Sequence, residues 1–332
     1  MKNYDAYFIQ IIKEKIPNSI SVTEEIASTL GISYDAAYRR LSGKVNFQLN
    51  EAVVLSKKYD ISLNTLFEVN EPHAYLIRES KPIGSIDDFA TYFSKLYAEL
   101  SPLIDNPEAS LLFGARELPM FYFFNNPLLI RFKMFLWANI LNIPPIKGHK
   151  ISFRDFEVSK SLILAAQKVY HSYNQINITE VWSFGSLNNV LQQLLYIYKM
   201  RQITQAEAKL VCDALTKEIK SLEEGISQKQ KKTIRQFQLY SNELIMMNNS
   251  MIIKLKDSLQ FAYPYALLRF FIINNQKASK AQEAYIYEQM QHATCITNTS
   301  TKERFRFFNR KYEKIKQVLK VIDNEENKPL FL

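Results

Sequence analysis

The sequence contains few of the residues from which phosphate-binding loops and metal centres are built. Its 332 residues include 7 glycines, and no two of them lie closer than 12 residues apart. Dinucleotide- and phosphate-binding loops need closely spaced glycines, because their backbone N–H groups must approach the phosphate. The 4 histidines and 2 cysteines also lack the spacing of metal ligands. These absences exclude the dinucleotide-binding and P-loop fingerprints, and we expect no metal and no cofactor.

The chain also lacks the features of a secreted or membrane protein. Cys212 and Cys295 could form at most one disulfide, which in a chain of this length is typical of a reduced compartment. The first residues include Asp5 and no long apolar run, unlike a signal peptide. The most apolar segment, residues 121–143, is interrupted by Arg131 and Lys133, whereas a membrane span needs about 20 nearly uninterrupted apolar residues. We therefore expect a cytoplasmic protein with no membrane partner.

The net charge of +9 is concentrated in the last third of the chain. Residues 1–70 carry 8 Lys/Arg and 8 Asp/Glu, and residues 71–224 carry 16 of each kind. Residues 225–332 carry 18 Lys/Arg against 9 Asp/Glu. A basic balance is compatible with a polyanionic partner, although a solvated charged surface is the commoner explanation.

Hydrophobic spacing and capping residues predict five short helices in the first 70 residues. Apolar side chains recur at three-to-four spacing in the first helix, and Pro17 ends it. Gly31 follows the second helix, where a left-handed residue commonly closes a helix. Thr23 is expected to cap the second helix and Ser33 the third. The predicted limits are Tyr7 to Ile16, after Thr23 to Gly31, Ser33 to Gly43, Asn50 to Tyr59, and a short turn around Leu63, Leu66 and Phe67.

The second and third of these helices, joined by a tight glycine turn, have the sequence form of a helix-turn-helix. The segments TEEIASTLGISYDAAYRRLSGK and LNEAVVLSKKYDISLNTLF resemble the five-helix domain of lambda-repressor or Xre-type regulators, in particular the BetR-like variants. The resemblance covers about 65 of the 332 residues. It depends on Ala27 facing the third helix, Gly31 and Ile32 in the turn, Gly43 after the third helix, and the trailing ISLNTLF. One departure is Thr23, where many relatives carry a glutamine.

This resemblance implies that residues 33–42 form a recognition helix in the major groove of double-stranded DNA. Arg39 could pair with guanine acceptors and Asp35 could accept from a cytosine amino group. Alternatively, Asp35 is only an acid favoured by the dipole in the first turn of a helix. Arg40 is a weaker candidate, because it lies toward the flank of the helix. The full set of candidate DNA contacts is Thr23, Ser33, Tyr34, Asp35, Tyr38, Arg39, Ser42, Lys44 and Asn46, of which Thr23, Lys44 and Asn46 fall where relatives contact phosphates.

The remainder of the chain is expected to be a mainly helical regulatory or dimerisation domain over residues 85–332, after a linker over 71–84. Helical patterns start at Ser85 and continue to about Gly225. Alternating side chains around Asn248 and Asn249 then predict a β-hairpin over residues 235–256. The overall fold class expected is mainly α, or α+β when the small sheet is counted. The further elements expected are helices at 153–170, 187–198, 204–225, 278–291 and 301–322, and a strand within 260–273.

Two features bear on oligomeric state. A DNA-binding domain without a basic surplus should bind weakly as a single copy, so we expect a homodimer. In the basic helix 301–322, an apolar stripe that includes Phe308 and Ile315 either packs within the chain, which we favour, or forms a seam between chains. The stripe consists of Phe305, Phe308, Tyr312, Ile315, Leu319 and Ile322, and an outer basic face, expected to be solvated, consists of Arg304, Arg306, Arg310, Lys311, Lys314 and Lys316.

The resemblance implies a sequence-specific DNA-binding transcription regulator, and we expect no enzymatic activity. The histidines have no nearby acid and nucleophile that would complete a catalytic set, and Cys212 has the pattern of a small buried side chain. The expected partners are double-stranded DNA and a second copy of the chain, with a small molecule or peptide as a candidate effector. The alternative is a ligand-, peptide- or protein-binding protein in which the helix-turn-helix docks protein rather than DNA. The histidines in question are His73, His149, His171 and His292.

Overall fold

The computed structural model describes residues 3–17, 19–63, 77–104, 106–144, 146, 151–227, 236–243, 249–256 and 258–325. The chain divides into two compact units, Met1–Leu76 and Ile77–Leu332. Both units contain helices, and the described part of the second unit also contains a mixed sheet of eight strands. The fold is therefore α+β overall.

Four helices form the described part of the first unit, and their ends follow from local capping. The side chains of Asn3 and Ser33 each accept a hydrogen bond from the first turn of the helix that follows. The prediction that Thr23 caps the second helix is wrong, because Ser21 Oγ accepts from Glu24 N and Thr23 lies inside the first turn. The four helices are α1 (Tyr4–Lys15), α2 (Val22–Leu30), α3 (Tyr34–Leu41) and α4 (Leu49–Tyr59).

A small apolar core holds these four helices together. Ala37 of α3 is fully buried, and its small side chain lets α3 approach the rest of the unit closely. Leu63 packs at the edge of this core, whereas the predicted fifth helix around Leu66 and Phe67 lies outside the described residues. The buried core residues are Phe8, Ile12, Ile16, Ile26, Ala37, Ala52 and Leu55.

The second unit is organised around three parallel strands joined by pairs of helices. Strand β3 lies in the middle and pairs in parallel with β2 on one side and β4 on the other. Helices precede each of these strands and cover the sheet, as parallel strands require. In chain order the elements are β1 (Ile77–Glu79), α5 (Asp88–Leu100), β2 (Ser110–Ala115), α6 (Pro127–Leu141), α7 (Lys160–Tyr173), β3 (Asn177–Ser183), α8 (Asn188–Lys199), α9 (Gln205–Ser227) and β4 (Phe237–Asn242).

An antiparallel meander extends the other edge of the sheet. Strand β5 pairs antiparallel with β2 and begins three consecutive strands, and β1 joins the last of them. The order across the sheet is β1-β7-β6-β5-β2-β3-β4-β8. The remaining elements are β5 (Ser250–Leu255), β6 (Ser258–Ala266), β7 (Arg269–Ile273), α10 (Gln276–Gln291), β8 (Thr294–Cys295) and α11 (Thr301–Glu325).

The predicted hairpin over residues 235–256 is wrong. Strands β4 and β5 both exist, but β2 and β3 lie between them in the sheet. In this region β5 and β6 form one hairpin, and β6 and β7 form a second. The single strand expected within 260–273 is therefore two strands.

Other expectations for the second unit are partly corrected. The uninterrupted helical pattern expected from Ser85 to Gly225 contains strands β2 and β3, and α7 begins at Lys160 rather than at Phe153. Strand β1 lies inside the segment that was expected to be a linker. Thr204 and Glu207 form a reciprocal capping box at the start of α9, within the limits predicted for this helix.

Helix α11 packs within its own chain. Phe308, Ile315 and Ile322 are buried, and the helix lies against α8 and α9. Phe305, expected in the same stripe, is 61% exposed. The expected outer basic face is wrong at Lys311, which is only 2% exposed.

Helix α6 is the most apolar helix, and most of its side chains are buried. Among the described residues, no helix has both the length and the apolar character needed to cross a membrane.

Candidate nucleic-acid interface

Helices α2 and α3 are separated by only three residues, 31–33. Gly31 adopts a left-handed conformation with φ 64° and ψ 34°, and its N–H donates to the carbonyl of Ala27. The N–H of Ile32 donates to the same carbonyl at 3.0 Å, so the turn is closed by two backbone hydrogen bonds. A side chain at Gly31 would meet no neighbour, and the positive φ alone is what favours glycine there.

The candidate contact residues of α3 share its exposed face. Ala37 points into the core, whereas Tyr34 and Tyr38, one turn apart, are 53% and 52% exposed. Asp35 and Arg39 are exposed beside them. The structure thus brings two tyrosines, one acid and one arginine together on a single helix face.

The loop after α3 holds the remaining candidates. The backbone N–H groups of Lys44 and Val45 both donate to the carbonyl of Arg39, at 2.9 and 3.1 Å. Ser42 caps the end of α3, and its Oγ donates to the same carbonyl at 3.2 Å. The side chains of Ser42, Lys44 and Asn46 are exposed along this fixed loop.

Two of the candidates have structural roles as well. Ser33 Oγ accepts from Ala36 N at 3.3 Å, so this hydroxyl caps α3. Thr23 is half-buried in the first turn of α2. Each residue lies at the N-terminus of a helix, Thr23 of α2 and Ser33 of α3, where the backbone N–H groups favour an anion.

The side chain of Arg40 makes its hydrogen bonds within the first unit. Its Nε and Nη2 donate to the two carboxylate oxygens of Glu51 at 2.8 and 2.7 Å, and its Nη1 donates to the carbonyl of Ala36 at 3.1 Å. The two side chains are 13% and 14% exposed. Burial alone would raise the pKa of Glu51, but hydrogen bonds from Arg40 and Gln48 N hold that pKa below its ordinary value. This pair connects α3 to the start of α4, and sequence analysis did not identify Glu51.

A second contact connects α2 to α4. Glu25 accepts from Lys58 Nζ at 2.6 Å and from Tyr59 OH at 2.9 Å. The hydrogen bond from Lys58, and then that from Tyr59, lowers the pKa of Glu25. Lys58 also donates to Thr29 of α2 at 2.6 Å. Helix α4 therefore contacts both α2 and α3 through charged groups.

The two candidate DNA contacts with a positive charge are Arg39 and Lys44. Within the described residues, neither Arg39 nor Lys44 has a carboxylate at ion-pair distance. Their cationic groups are free to contact a phosphate or a base edge. They are few, however, in a segment whose charges balance.

Of the groups considered for catalysis, the structure describes Cys212, His171 and His292. Cys212 is buried, as predicted, and burial, with the neighbouring Asp213, raises the pKa of its thiol to about 12. His171 lies against the Tyr170 ring on α7, while His73 and His149 fall outside the described residues. In the described part of the chain, no three His, Cys, Asp or Glu side chains are grouped so that they could hold a metal ion.

A scan against protein-family models, a search of curated proteins and a search of solved structures each found no match to this chain. A function for it must therefore be argued from its own residues and their geometry.

Proposed function

We propose that the chain is a sequence-specific DNA-binding transcription regulator. In this proposal α2, the turn at residues 31–33 and α3 constitute a helix-turn-helix, and α3 enters the major groove. The observation that carries the proposal is the exposed α3 face, on which Tyr34, Tyr38 and Arg39 stand clear of the core. Helix α3 is held from behind by the Arg40–Glu51 pair, so its outer face is presented on a rigid support.

The residues of this face divide by the chemistry that they offer. Arg39 supplies the planar fork that pairs with the O6 and N7 acceptors of guanine, and Asp35 accepts from a cytosine amino group. Tyr34 and Tyr38 offer rings and hydroxyls to base edges and thymine methyl groups. Lys44 and Asn46, with Ser33, Ser42 and Thr23 at the helix ends, would contact the phosphate backbone and fix the orientation of α3.

The balanced charge of residues 1–70 supports DNA binding by two copies of the chain. Each phosphate contact contributes by releasing a bound counterion, so affinity rises with the number of cations at the interface. Arg39 and Lys44 are two such cations in one copy, which is few for stable binding. A homodimer would double the contacts and read two half-sites. The second unit, which has its own core, would then supply dimerisation or signal sensing.

A second candidate function is protein docking by the same face. The observation that favours it is that two exposed tyrosines dominate a face of little net charge, because Tyr is enriched at protein interfaces. In that case α3 would contact an apolar patch on a partner protein, and DNA sequence would be irrelevant.

Selection from a random duplex library, followed by sequencing, separates the two candidates. The full-length chain should enrich a defined motif, and Tyr38→Ala with Arg39→Ala should abolish that enrichment. Lys57→Ala is the matched control, because Lys57 is an exposed cation of α4 that is not among the proposed DNA contacts. If no motif is enriched, or if the double variant enriches the same motif, the DNA proposal is wrong and protein docking gains support.

A further inference from the structure

A cavity of about 480 Å³ lies in the second unit at the ends of two parallel strands. Its wall includes Phe184, which directly follows β3, and Glu243, which directly follows β4. Helix α11 forms the opposite side with Arg306, Lys311 and Lys314. The carboxyl ends of parallel strands are where sheets covered by helices usually bind ligands, and the volume is that of a small-molecule site.

Two of the cations around this cavity contact a carboxylate, and two do not. Arg310 donates to Glu243 at 2.8 Å, and Arg306 donates to Glu303 at 2.6 Å. These four charges therefore cancel in pairs. His292 also lines the cavity, beside β8.

Lys311 and Lys314 have no such partners. Lys314 Nζ donates to the amide oxygen of Asn188 at 2.6 Å. Lys311 Nζ donates to the carbonyl of Phe184 at 3.0 Å and to Ser186 Oγ at 2.9 Å. All three acceptors are neutral, and in the described residues no carboxylate lies within ion-pair distance of either ammonium group.

Lys311 is also buried, which makes the missing counter-charge costly. Its Nζ lies 5.0 Å from the centre of the Phe307 ring and 6.0 Å from that of Trp182. Burial, with the repulsion of Lys314 and Arg310, lowers the pKa of Lys311 to about 7. A buried ammonium without a paired anion destabilises a fold, and such perturbed groups cluster at binding sites.

We propose that the cavity binds a small organic anion, whose phosphate or carboxylate is held by Lys311 and Lys314 and whose apolar part lies against Phe184 and Phe307. The anion supplies the negative charge that these two lysines lack. The proposal uses no residue of the first unit, and it stands or fails independently of DNA binding.

Calorimetric titration of the full-length chain tests the site with two probes that share a ring and differ in their charged group. Phenyl phosphate and benzoate are titrated at an ionic strength matched with sodium chloride, so that the preferred charged group is identified. At least one probe should bind saturably, and Lys314→Gln should weaken that binding at least about tenfold. Lys316→Gln is the control, since Lys316 lies on the same helix, pairs with Glu313 and does not line the cavity.

A second measurement keeps the test independent of folding defects at the buried lysine. In the folded wild-type chain, nuclear magnetic resonance of isotope-labelled lysine Cε reports the pKa of Lys311. A saturating probe should raise this pKa from about 7 toward the ordinary lysine value, because the bound anion favours the ammonium form. Absence of saturable binding by both probes, or binding that leaves both the Lys311 pKa and the Lys314→Gln affinity unchanged, would overturn the proposal.

Discussion

Arg40 of α3 and Glu51 of α4 are joined by two parallel hydrogen bonds from the guanidinium to the carboxylate. Arg39, the residue before Arg40, is exposed and has no acidic partner among the described residues. Two consecutive arginines therefore differ, since Arg40 joins α3 to α4 whereas Arg39 is exposed on the α3 face that we propose contacts DNA. This difference makes the two residues a natural pair for comparison.

Arg40→Ala should destabilise the first unit by roughly 2 kcal/mol, because it leaves the half-buried Glu51 carboxylate without its strongest donor. Arg39→Ala should change the free energy of unfolding by less than about 0.5 kcal/mol, as exposed substitutions usually do. Urea unfolding of the full-length chain, followed by circular dichroism, measures both. Equal losses in the two variants would contradict the distinction.

For DNA recognition, Arg39→Ala should weaken binding to the selected motif by about 1–3 kcal/mol and relax the preference at one base position. Lys44→Ala should instead weaken binding to every sequence alike, because a phosphate contact carries no sequence information. Competition binding with motif and random duplexes at fixed salt concentration provides the comparison. An Arg39→Ala variant that loses equal affinity for both duplexes would remove Arg39 from base readout.

The full-length chain should be a dimer in solution, and its selected motif should contain two half-sites in an inverted or direct repeat. The reason is the small number of cations that one copy brings to DNA. Light scattering across the micromolar range, with and without DNA, measures the oligomeric state. A monomer under both conditions would exclude this expectation.

The four described helices of the first unit could be predicted from the sequence because their signals are local. Caps such as Ser33 and the left-handed Gly31 fix helix ends within a few residues, and apolar spacing fixes the buried face. The error at Thr23 has a simple origin, since Ser21 is an equally good cap two residues earlier. The Arg40–Glu51 pair could not be predicted, because it depends on how α3 and α4 approach each other.

The second unit was harder to predict because strand pairing is not local. Strands β2 and β3 are largely buried, and buried parallel strands lack the alternation that identifies a strand. The alternation in β4 predicts pairing with β5, the next strand in sequence, whereas β4 lies between β3 and β8 in the sheet. The apolar periodicity of α11 likewise predicts that Lys311 is exposed. The packing of α11 buries it instead.

Ile315 tests the packing of α11. It is 1% exposed in the main core of the second unit, so Ile315→Ala should lower the free energy of unfolding by about 2–5 kcal/mol. Ile315→Glu should prevent stable folding, because an unpaired carboxylate cannot be accommodated in this core. Thermal unfolding and light scattering measure the two effects. A soluble Ile315→Glu monomer that melts cooperatively would mean that Ile315 does not belong to the core of its own chain.

The last prediction concerns Glu180, a fully buried carboxylate in β3. It accepts hydrogen bonds from Tyr122 OH at 3.0 Å, from Trp182 Nε1 at 2.6 Å and from Tyr173 OH. Burial raises the pKa of Glu180 from its ordinary value of 4.5 to about 7, although these three donors oppose the rise. At a pH between 4.5 and about 7, Glu180 keeps its proton in the folded chain and loses it in the unfolded chain.

The contribution of Glu180 to stability is therefore complete below pH 4.5 and is lost as the pH rises to about 7. Relative to Glu180→Gln, the free energy of unfolding of the wild-type chain should fall by up to about 3 kcal/mol across this interval. Urea unfolding at the two ends of the interval measures the difference, and subtraction of the variant removes the contribution of other titrating groups. Glu288→Gln, which alters an exposed carboxylate on α10, should follow the wild-type pH dependence. If Glu180→Gln also follows it, the Glu180 carboxylate is already ionised at the acidic end, and the three donors outweigh the effect of burial.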